Sequence, residues 1–342
     1  MKSPSALVVG EALVDIVVPT RGDRRELPGG SPANVAITLG RLDRPVELVT
    51  WLGDDARGRI VRDHLSESNV KVHESSVRAR KTSTALATLD HTGAATYEFD
   101  LDWQVPEVEI EESVIVAHAG SIAATLEPGG TEVVHLLERA REQATITYDP
   151  NVRPTIMGDR AETYARVKQI IALSDVVKTS DEDMEWLTAT DTAQDAAAEA
   201  AQDTATETPG NTEAHSAEAS QNGSENADSS IEATANEWLQ MGASLVVVTR
   251  GSQGSSAFIP GARIDIPASK VDVVDTVGAG DSFMGGLIDA LWSENLLGAN
   301  NRYALRHIDR ETVVRILARA GSISAITVSR AGANPPWKKE LI

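Results

Sequence analysis

The stretch of sequence that decides the fold is residues 275–287, Asp-Thr-Val-Gly-Ala-Gly-Asp-Ser-Phe-Met-Gly-Gly-Leu. Residues 271–274 before it, Val-Asp-Val-Val, predict a strand, and its second half predicts a helix that ends near Trp292. A glycine-rich turn that opens a helix leaves the first helical amides without intrahelical partners, beside the positive end of the helix dipole. The stretch therefore predicts an anion-binding site, formed by the amides of Gly278, Ala279, Gly280 and Asp281.

An acidic side chain at an anion-binding site has a specific chemical use. Next to a bound phosphate, Asp281 can act as the general base that takes a proton from an attacking hydroxyl, while the amides stabilise the transferred phosphoryl group. The alternative is structural, because an Asp in the first turn also caps a helix and an isolated Gly-x-Gly often serves only a tight turn.

A second glycine-containing run occupies residues 28–36, Pro-Gly-Gly-Ser-Pro-Ala-Asn-Val-Ala. Ser31 followed by Pro32 predicts the N-cap and first turn of a helix. The two preceding glycines allow the backbone to approach a ligand, and Asn34 offers a hydrogen-bond donor and an acceptor to hydroxyl groups. The run therefore predicts either a ligand site or only a helix start.

Residues 275–287 resemble, almost residue for residue, the second signature of the PfkB, or ribokinase-like, family of carbohydrate kinases. Residues 28–36 are similar to the first signature of the same family. The resemblance implies that Asp281 is the catalytic base. The implied anion hole consists of Gly278, Ala279 and Gly280.

The resemblance also implies a sugar site. Residues 10–15, Gly-Glu-Ala-Leu-Val-Asp, are similar to the family segment whose Asp accepts hydrogen bonds from sugar hydroxyls. Residues 148–153, Tyr-Asp-Pro-Asn-Val-Arg, are similar to a segment of fructokinases and 2-keto-3-deoxygluconate kinases, and a surface loop is the alternative interpretation. The implied sugar-binding residues are Asp15, Gly29, Gly30, Asn34 and Arg153.

A nucleotide site is implied as well. Residues 247–254, Val-Val-Thr-Arg-Gly-Ser-Gln-Gly, predict a strand and a turn, and they match the family segment that lies along ATP. The chain has no Walker A motif, no His-Arg-Asp motif and no Gly-x-Gly-x-x-Gly after its first predicted strand, which disfavours P-loop kinases, protein kinases and Rossmann dehydrogenases. The implied ATP-binding residues are Lys178, Thr249, Gly251, Gly254, Gly278 and Gly280.

Phosphoryl transfer from ATP implies Mg²⁺ as well. Where the family has Asn-x-x-Glu near the metal, residues 180–183 are Ser-Asp-Glu-Asp, a variant that resembles fructokinase-like members and leaves Glu182 and Asp183 as candidate metal residues. These acids would equally suit the first turn of a helix. Asp275 and Thr276 resemble residues near a monovalent-cation site, which implies activation by K⁺.

Short apolar runs rich in β-branched residues recur along the chain and predict buried strands. Between most of them lie amphipathic stretches, so the alternation predicts an α/β fold with a mostly parallel sheet covered on both faces. Segments 11–28 and 82–103 are instead predicted as extended β structure, the second with a hairpin turn at residues 90–93. The resemblance implies one kinase domain over residues 1–342, a ribokinase-like α/β/α sandwich in which these segments form a small β-strand lid.

Composition restricts the possible partners. A net charge of −20 disfavours nucleic acid and anionic membranes, and no segment reaches the roughly 18 apolar residues of a membrane span. The chain contains no Cys, and residues 1–10 lack a secretory pattern, so we expect a cytoplasmic protein.

Residues 191–230 differ in character from the rest of the chain. They contain nine acidic residues, no Lys or Arg, and no Val, Ile, Leu, Met, Phe, Trp or Tyr. Such a segment cannot bury a core, so we expect a disordered acidic insertion between helices near residues 184–187 and 232–241. A tolerated surface insertion is the simplest explanation, because long loops cost little closure entropy.

The substrate follows from the resemblance alone. Residues 10–15, 97–100 and 178–182 are most similar to fructokinases, which implies transfer from ATP to the primary hydroxyl of D-fructose, giving D-fructose 6-phosphate. The alternatives are 2-keto-3-deoxygluconate kinase or ribokinase and, from a different class, a sugar-binding protein without catalysis. The resemblance also implies a homodimer.

Overall fold

The computed structural model of the chain describes residues 3–19, 23–89, 95–189 and 216–341. Within these ranges the strands form a large and a small sheet, and both are numbered here in chain order. The large sheet contains β1 (Ser5–Val9), β4 (Val46–Val49), β5 (Val70–Val72), β8 (Val114–Gly120), β9 (Thr145–Asp149), β10 (Val176–Ser180), β11 (Leu245–Thr249), β12 (Ser255–Ile259) and β13 (Ala262–Ile266). The small sheet contains β2 (Leu13–Val18), β3 (Arg25–Gly29), β6 (Thr84–Leu89) and β7 (Ala95–Asp100).

The large sheet has the order β13-β12-β11-β10-β9-β8-β1-β4-β5. Its strands are parallel from β11 to β5, and only β12 and β13 run antiparallel to their neighbours. Because both faces are buried, these strands are apolar almost throughout, as β1 and β11 are. The predicted mostly parallel sheet is confirmed.

Helices cover both faces of the large sheet. On one side a buried apolar cluster packs around α1, α2, α8 and α10, and on the other a second cluster packs around α3, α5, α6 and α7. The described helices are α1 (Ser31–Arg41), α2 (Ala56–Glu67), α3 (Gly129–Ala140), α4 (Pro154–Met157), α5 (Arg160–Leu173), α6 (Asp181–Thr188), α7 (Ser216–Met241), α8 (Ala279–Ser293), α9 (Arg302–Arg306) and α10 (Arg310–Val328). The predicted α/β/α sandwich is therefore confirmed.

The small sheet has the order β3-β2-β6-β7, in which β2 and β6 are parallel and the two outer pairs are antiparallel. One of its faces packs on the core through Val14 and Ile16. Asp15 lies on the opposite face, in register with Leu27 and Ala85. The predicted turn at residues 90–93 lies outside the described residues.

Two segments differ from the sequence-based expectations. Helix α7 begins at Ser216, so residues 216–230 of the predicted disordered insertion are helical; the stretch 191–215 lies outside the described residues. The helix is anchored by the buried Trp238, and its Ala, Glu and Gln residues favour helix extension. Residues 271–274 form no strand, because β13 ends the sheet at Ile266 and Val273 and Val274 remain exposed.

No helix among the described residues is long and apolar enough to cross a membrane.

Candidate active site

The candidate site lies at the carboxyl ends of the parallel strands. Asp149 ends β9, Ser180 ends β10 and Thr249 ends β11. Because all parallel strands point the same way, the side chains that follow them gather at one edge of the sheet. The N-terminus of α8, which carries Asp281, approaches the same edge, since Lys178 of β10 contacts Gly280 there.

Asp281, in the first turn of α8, is hydrogen-bonded to two side chains of α1. It is 8% exposed, and its carboxylate accepts a hydrogen bond from Ser31 Oγ to Oδ1 at 2.7 Å and another from Asn34 Nδ2 to Oδ2 at 2.7 Å. Helices α1 and α8 can approach closely enough for this because Gly285 faces Thr38, where a Cβ would come within 2.6 Å. Both donors are therefore on α1 and both orient the carboxylate on α8.

The environment of Asp281 favours a base of increased strength. Burial raises its pKa above the usual value of 3.8, while the hydrogen bonds from Asn34 and Ser31 stabilise the charged form and limit the increase. The charges of Lys178 and Arg153 also favour the carboxylate. A carboxylate with a raised pKa is a stronger base than an ordinary Asp, which suits proton abstraction.

The glycines before Asp281 form a tight helix start. Gly278 is the N-cap of α8 with a left-handed φ of 74°, and a Cβ there would come within 2.6 Å of Ala333. The amides of Gly280 and Asp281 belong to the first turn, where helices lack internal acceptors. The N–H of Ala279 donates to the Thr276 carbonyl at 3.2 Å, and the place of Ala279 in the anion hole stays a prediction.

Lys178 supplies a buried positive charge beside this helix start. Its Nζ donates to Asp149 Oδ2 at 2.8 Å, and both side chains are almost fully buried. Nζ would lie 2.9 Å from a Cβ at Gly280, so the ammonium group lies against the first turn of α8. Burial raises the pKa of Asp149 to about 6, and the charge of Lys178 opposes that increase.

Lys178 lies beside a second source of positive potential, the N-terminus of α8. The Asp149 carboxylate balances the charge of Lys178, and the positive end of the α8 dipole adds a second group that favours an anion at the same place. Burial, with a smaller contribution from Lys178, also lowers the pKa of His118 to about 3, which keeps that buried ring neutral. Lys178 and the first amides of α8 therefore lie side by side, where the sequence predicted an anion-binding site.

The predicted sugar residues cluster beside Asp281. Gly29 must be glycine because a Cβ would come within 2.1 Å of Asp15 Oδ2, and Gly30 has a φ of 110° with the Glu11 carbonyl only 2.4 Å from a Cβ. Burial raises the pKa of Asp15, and the charge of Arg153 opposes this. The charge of Arg153 favours the ionised form of both Asp15 and Asp281.

Two residues in the segments 10–15 and 28–36 have roles that the sequence did not indicate. Ser31 was predicted as the N-cap of α1, but Gly30 occupies that position and the Ser31 hydroxyl binds Asp281 instead. Glu11 was not singled out, although it is buried, accepts the Ala123 N–H at 3.2 Å, and has a pKa raised by burial to about 7. A Glu inside an apolar segment was the available signal.

The predicted nucleotide segment is a tight turn after β11. Thr249 Oγ1 donates to the Thr179 carbonyl at 3.2 Å, and the Arg250 N–H donates to the Gly254 carbonyl at 2.8 Å. Gly254 has a φ of 100°, and a Cβ there would come within 2.1 Å of the Ile266 carbonyl. Gly251 has a φ of 49° and open space around it, so it is required for its conformation rather than for packing.

The residues predicted to bind cations do not form one cluster among the described residues. Glu182 is exposed, whereas Asp183 is half-buried and accepts the Val152 N–H at 3.1 Å. Asp275 accepts the N–H groups of Val277 and Gly332 at 3.0 and 2.9 Å, which lowers its pKa. Within the described part of the chain, no group of three or more His, Asp or Glu side chains could hold a metal ion by itself.

Comparison with known proteins decides the family. The sequence model described as "pfkB family carbohydrate kinase" matches residues 3–212 and 208–340. The chain belongs to the pfkB family of carbohydrate kinases. This pfkB-family chain is 31% identical over 302 residues to a fructokinase of Rhizobium leguminosarum bv. trifolii, a match that covers 85% of the chain and 81% of the relative.

Solved structures confirm the ribokinase-like fold of this pfkB-family chain. The fructokinase of Xylella fastidiosa with bound ATP superposes with a TM-score of 0.74 at 24% identity, covering 98% of this chain and 97% of the other. A double mutant of Vibrio cholerae O395 fructokinase, in its fructose, ADP and potassium ion bound form, superposes with a TM-score of 0.67 at 23% identity, covering 96% and 94%.

Proposed function

We propose that this chain transfers the γ-phosphoryl group of ATP to the primary hydroxyl of D-fructose, giving D-fructose 6-phosphate and ADP. The observation that carries the proposal is the buried Asp281 carboxylate, fixed by Ser31 and Asn34 at the start of α8, with the Lys178 ammonium group against the same helix start. Membership of the family supports the reaction, and the similarity to relatives named fructokinase supports the substrate.

The chemical step follows from the position of each group. Asp281 takes the proton of the primary hydroxyl as its oxygen forms a bond to the γ-phosphorus, and the bond between that phosphorus and the β,γ-bridging oxygen breaks to release ADP. The amides of Gly278, Gly280 and Asp281, with the Lys178 ammonium group, stabilise the negative charge of the transferred group.

Sugar recognition is assigned to the groups around Asp281. Asp15 and Asn34 offer hydrogen-bond partners to hydroxyls, and the missing side chains at Gly29 and Gly30 leave the backbone accessible. Arg153 is exposed and its charge reaches Asp15. The exposed guanidinium group favours 2-keto-3-deoxygluconate as the second candidate substrate, because a sugar acid would offer it a carboxylate.

For the nucleotide, we assign the turn of Thr249, Gly251 and Gly254 to ATP binding. Mg²⁺ would enter with ATP, because this ion keeps several waters and binds through substrate phosphates with one or two carboxylates. Asp183 suits such a role better than Glu182, because its charge acts on Lys178 and Asp149 beside the phosphate site. Asp275 and Thr276 remain the proposed location of a K⁺ effect.

The small sheet is proposed as the lid over the sugar. Its Asp15-bearing face also carries the exposed apolar side chains of Leu27, Tyr97 and Phe99, with the two rings stacked at 6.0 Å. Covering this face would exclude water from the reaction and limit hydrolysis of ATP. An exposed apolar face of this kind also supports the proposed homodimer.

The test of the proposed function is ADP release from Mg-ATP with D-fructose, D-ribose and 2-keto-3-deoxygluconate. We expect kcat/KM for fructose to exceed the other two values by at least about tenfold, since a few hydrogen bonds distinguish these sugars. A preference for 2-keto-3-deoxygluconate that disappears in Arg153→Ala would identify the second candidate instead. Silence with all three sugars would support a binding protein without catalysis.

The pH dependence of the reaction should report the ionisation of Asp281. Because the base must be unprotonated and burial raises its pKa, kcat should fall with decreasing pH at values above those of an ordinary Asp. Asn34→Ala removes a hydrogen bond to the carboxylate, so it should shift this acidic limb upward by about one pH unit. Profiles of kcat between pH 4.5 and 9 measure the shift, and a downward shift would contradict the assignment.

A further inference from the structure

Asp228, in the acidic insertion of residues 191–230, contacts the proposed nucleotide turn. Asp228, on α7, binds Arg250 Nη1 at 2.7 Å and Arg263 Nη2 at 3.3 Å. Arg250 stands between Thr249 and Gly251, inside the proposed ATP-binding turn. Its backbone N–H closes that turn on the Gly254 carbonyl. A residue of the acidic segment is therefore ion-paired to the central residue of the nucleotide turn.

The ion pair lies on the opposite side of the sheet from Asp281. Val246 and Val248 of β11 point into the cluster that packs against α7, and Arg250 continues the same alternation. Phe283 and Met284 of α8 belong to the other cluster. Asp228 can therefore affect the nucleotide turn without touching the base or the sugar residues.

Arg250 depends on Asp228 for its charge balance. Its side chain is only 12% exposed, Asp228 is its one ion-pair partner among the described residues, and its Nε and Nη2 atoms have no hydrogen-bond partner there. Arg263 differs, because it also binds Asp265 at 3.0 Å and approaches Glu232 at 3.7 Å. Loss of Asp228 would thus leave Arg250, and not Arg263, as a mostly buried and unpaired cation.

An unpaired buried guanidinium group cannot stay where it is without a large energetic cost, so it would move toward water. Space for that movement exists, because a cleft of about 290 Å³ borders Arg250. The cleft is lined also by Gln253, Ser255, Pro267 and Asp265, whose carboxylate would attract the displaced guanidinium group. Gln253 and Ser255 flank Gly254 in the turn, so a shift of Arg250 into the cleft would displace the backbone that is assigned to ATP.

We propose that Asp228 is a positioning residue for the nucleotide, which acts by holding Arg250 so that residues 249–254 keep their ATP-binding conformation. The inference rests on the proposed nucleotide site and gives the acidic insertion a role beyond a tolerated surface loop. Helix α7 contacts the turn on the side away from Asp281. We therefore expect this contact to change the affinity for the nucleotide and not the affinity for the sugar.

The test compares Asp228→Asn with Glu237→Gln in the full chain. Glu237 is an exposed acid on the same helix, so its substitution removes the same charge without touching Arg250. We expect Asp228→Asn to raise the Kd of Mg-ADP, measured by calorimetry, and the KM of ATP five- to tenfold, with kcat and the KM of fructose within twofold of wild type. Asp228→Glu should restore the Kd to within twofold, and Glu237→Gln should leave it unchanged.

An unchanged Kd in Asp228→Asn would overturn the proposal. An equal effect of Glu237→Gln would overturn it as well, because it would indicate the general charge of the helix rather than the contact with Arg250. So would a joint loss of ADP affinity, fructose affinity and kcat, which would indicate a structural defect. Calorimetry does not need turnover, so a chain that binds Mg-ADP without phosphorylating a sugar would contradict the proposed reaction and still permit this test.

Discussion

Replacing Asp281 by Asn should lower kcat for fructose phosphorylation by about 10³- to 10⁴-fold, the loss expected when a general base is removed. The substitution keeps the size of the side chain and one acceptor for Ser31 or Asn34, so the packing of α1 against α8 should persist. The KM values of fructose and ATP should change much less than kcat, because the base acts only in the transition state. Single-turnover measurements at saturating substrates separate the two effects.

The matched control is Asp289→Asn. Asp289 is a buried acid on the same helix, and it is paired with Arg44 at 2.7 Å and Arg319 at 2.5 Å, away from the sheet edge that carries the site. Its substitution should lower the thermal stability yet leave kcat of the folded protein within a few fold of wild type. If Asp281→Asn retained more than a tenth of the activity, or if both variants lost the same activity, Asp281 would not be the base.

Replacing Lys178 by Met should lower kcat/KM for ATP by about 10²- to 10³-fold, the cost of removing one preorganised donor from an anion hole. Met has a similar length but no charge, so the phosphate site loses the ammonium group that lies against Gly280. The KM of fructose should change little, because the sugar residues are not hydrogen-bonded to Lys178. Initial rates over a matrix of ATP and fructose concentrations provide both constants.

Lys178→Met also leaves Asp149 buried without its partner, which can destabilise a protein by about 3 to 5 kcal/mol. The double variant Lys178→Met with Asp149→Asn removes both charges and should recover most of the lost stability in urea titrations. Its kcat/KM for ATP should stay low, because the missing charge at the phosphate site is not restored. Recovery of activity along with stability would mean that Lys178 is structural.

The sequence predicted the parts of the site that depend on local chemistry. A glycine-rich turn before a helix determines an anion site by itself, and the structure has such a helix start at Gly278 with Asp281 in its first turn. The apolar runs predicted the parallel strands for a similar reason, since a strand buried on both faces is apolar at most positions. The prediction of a strand at residues 271–274 was wrong, because a mostly apolar run becomes a strand only where a neighbouring strand is available to pair with it.

The partnerships within the site could not be predicted. Lys178 and Asp149 are 29 residues apart in the sequence. They meet only because β9 and β10 are adjacent parallel strands whose register places these two residues side by side. The sequence offered a local explanation for Ser31 as a helix cap. Its hydroxyl donates to Asp281 only because α8 packs against α1 in the folded chain. Asp228 reaches Arg250 because helix α7 begins earlier than its composition indicated.

The most direct test of the proposed reaction is the identity of its product. Fructose labelled with ¹³C, incubated with Mg-ATP and the purified chain, should give a product whose phosphorus couplings in the NMR spectrum fall on C6 and its neighbour C5, in an amount equal to the ADP formed. Phosphate on another carbon, or ADP formed together with free phosphate and unchanged fructose, would contradict the proposal that Asp281 activates the primary hydroxyl of this sugar.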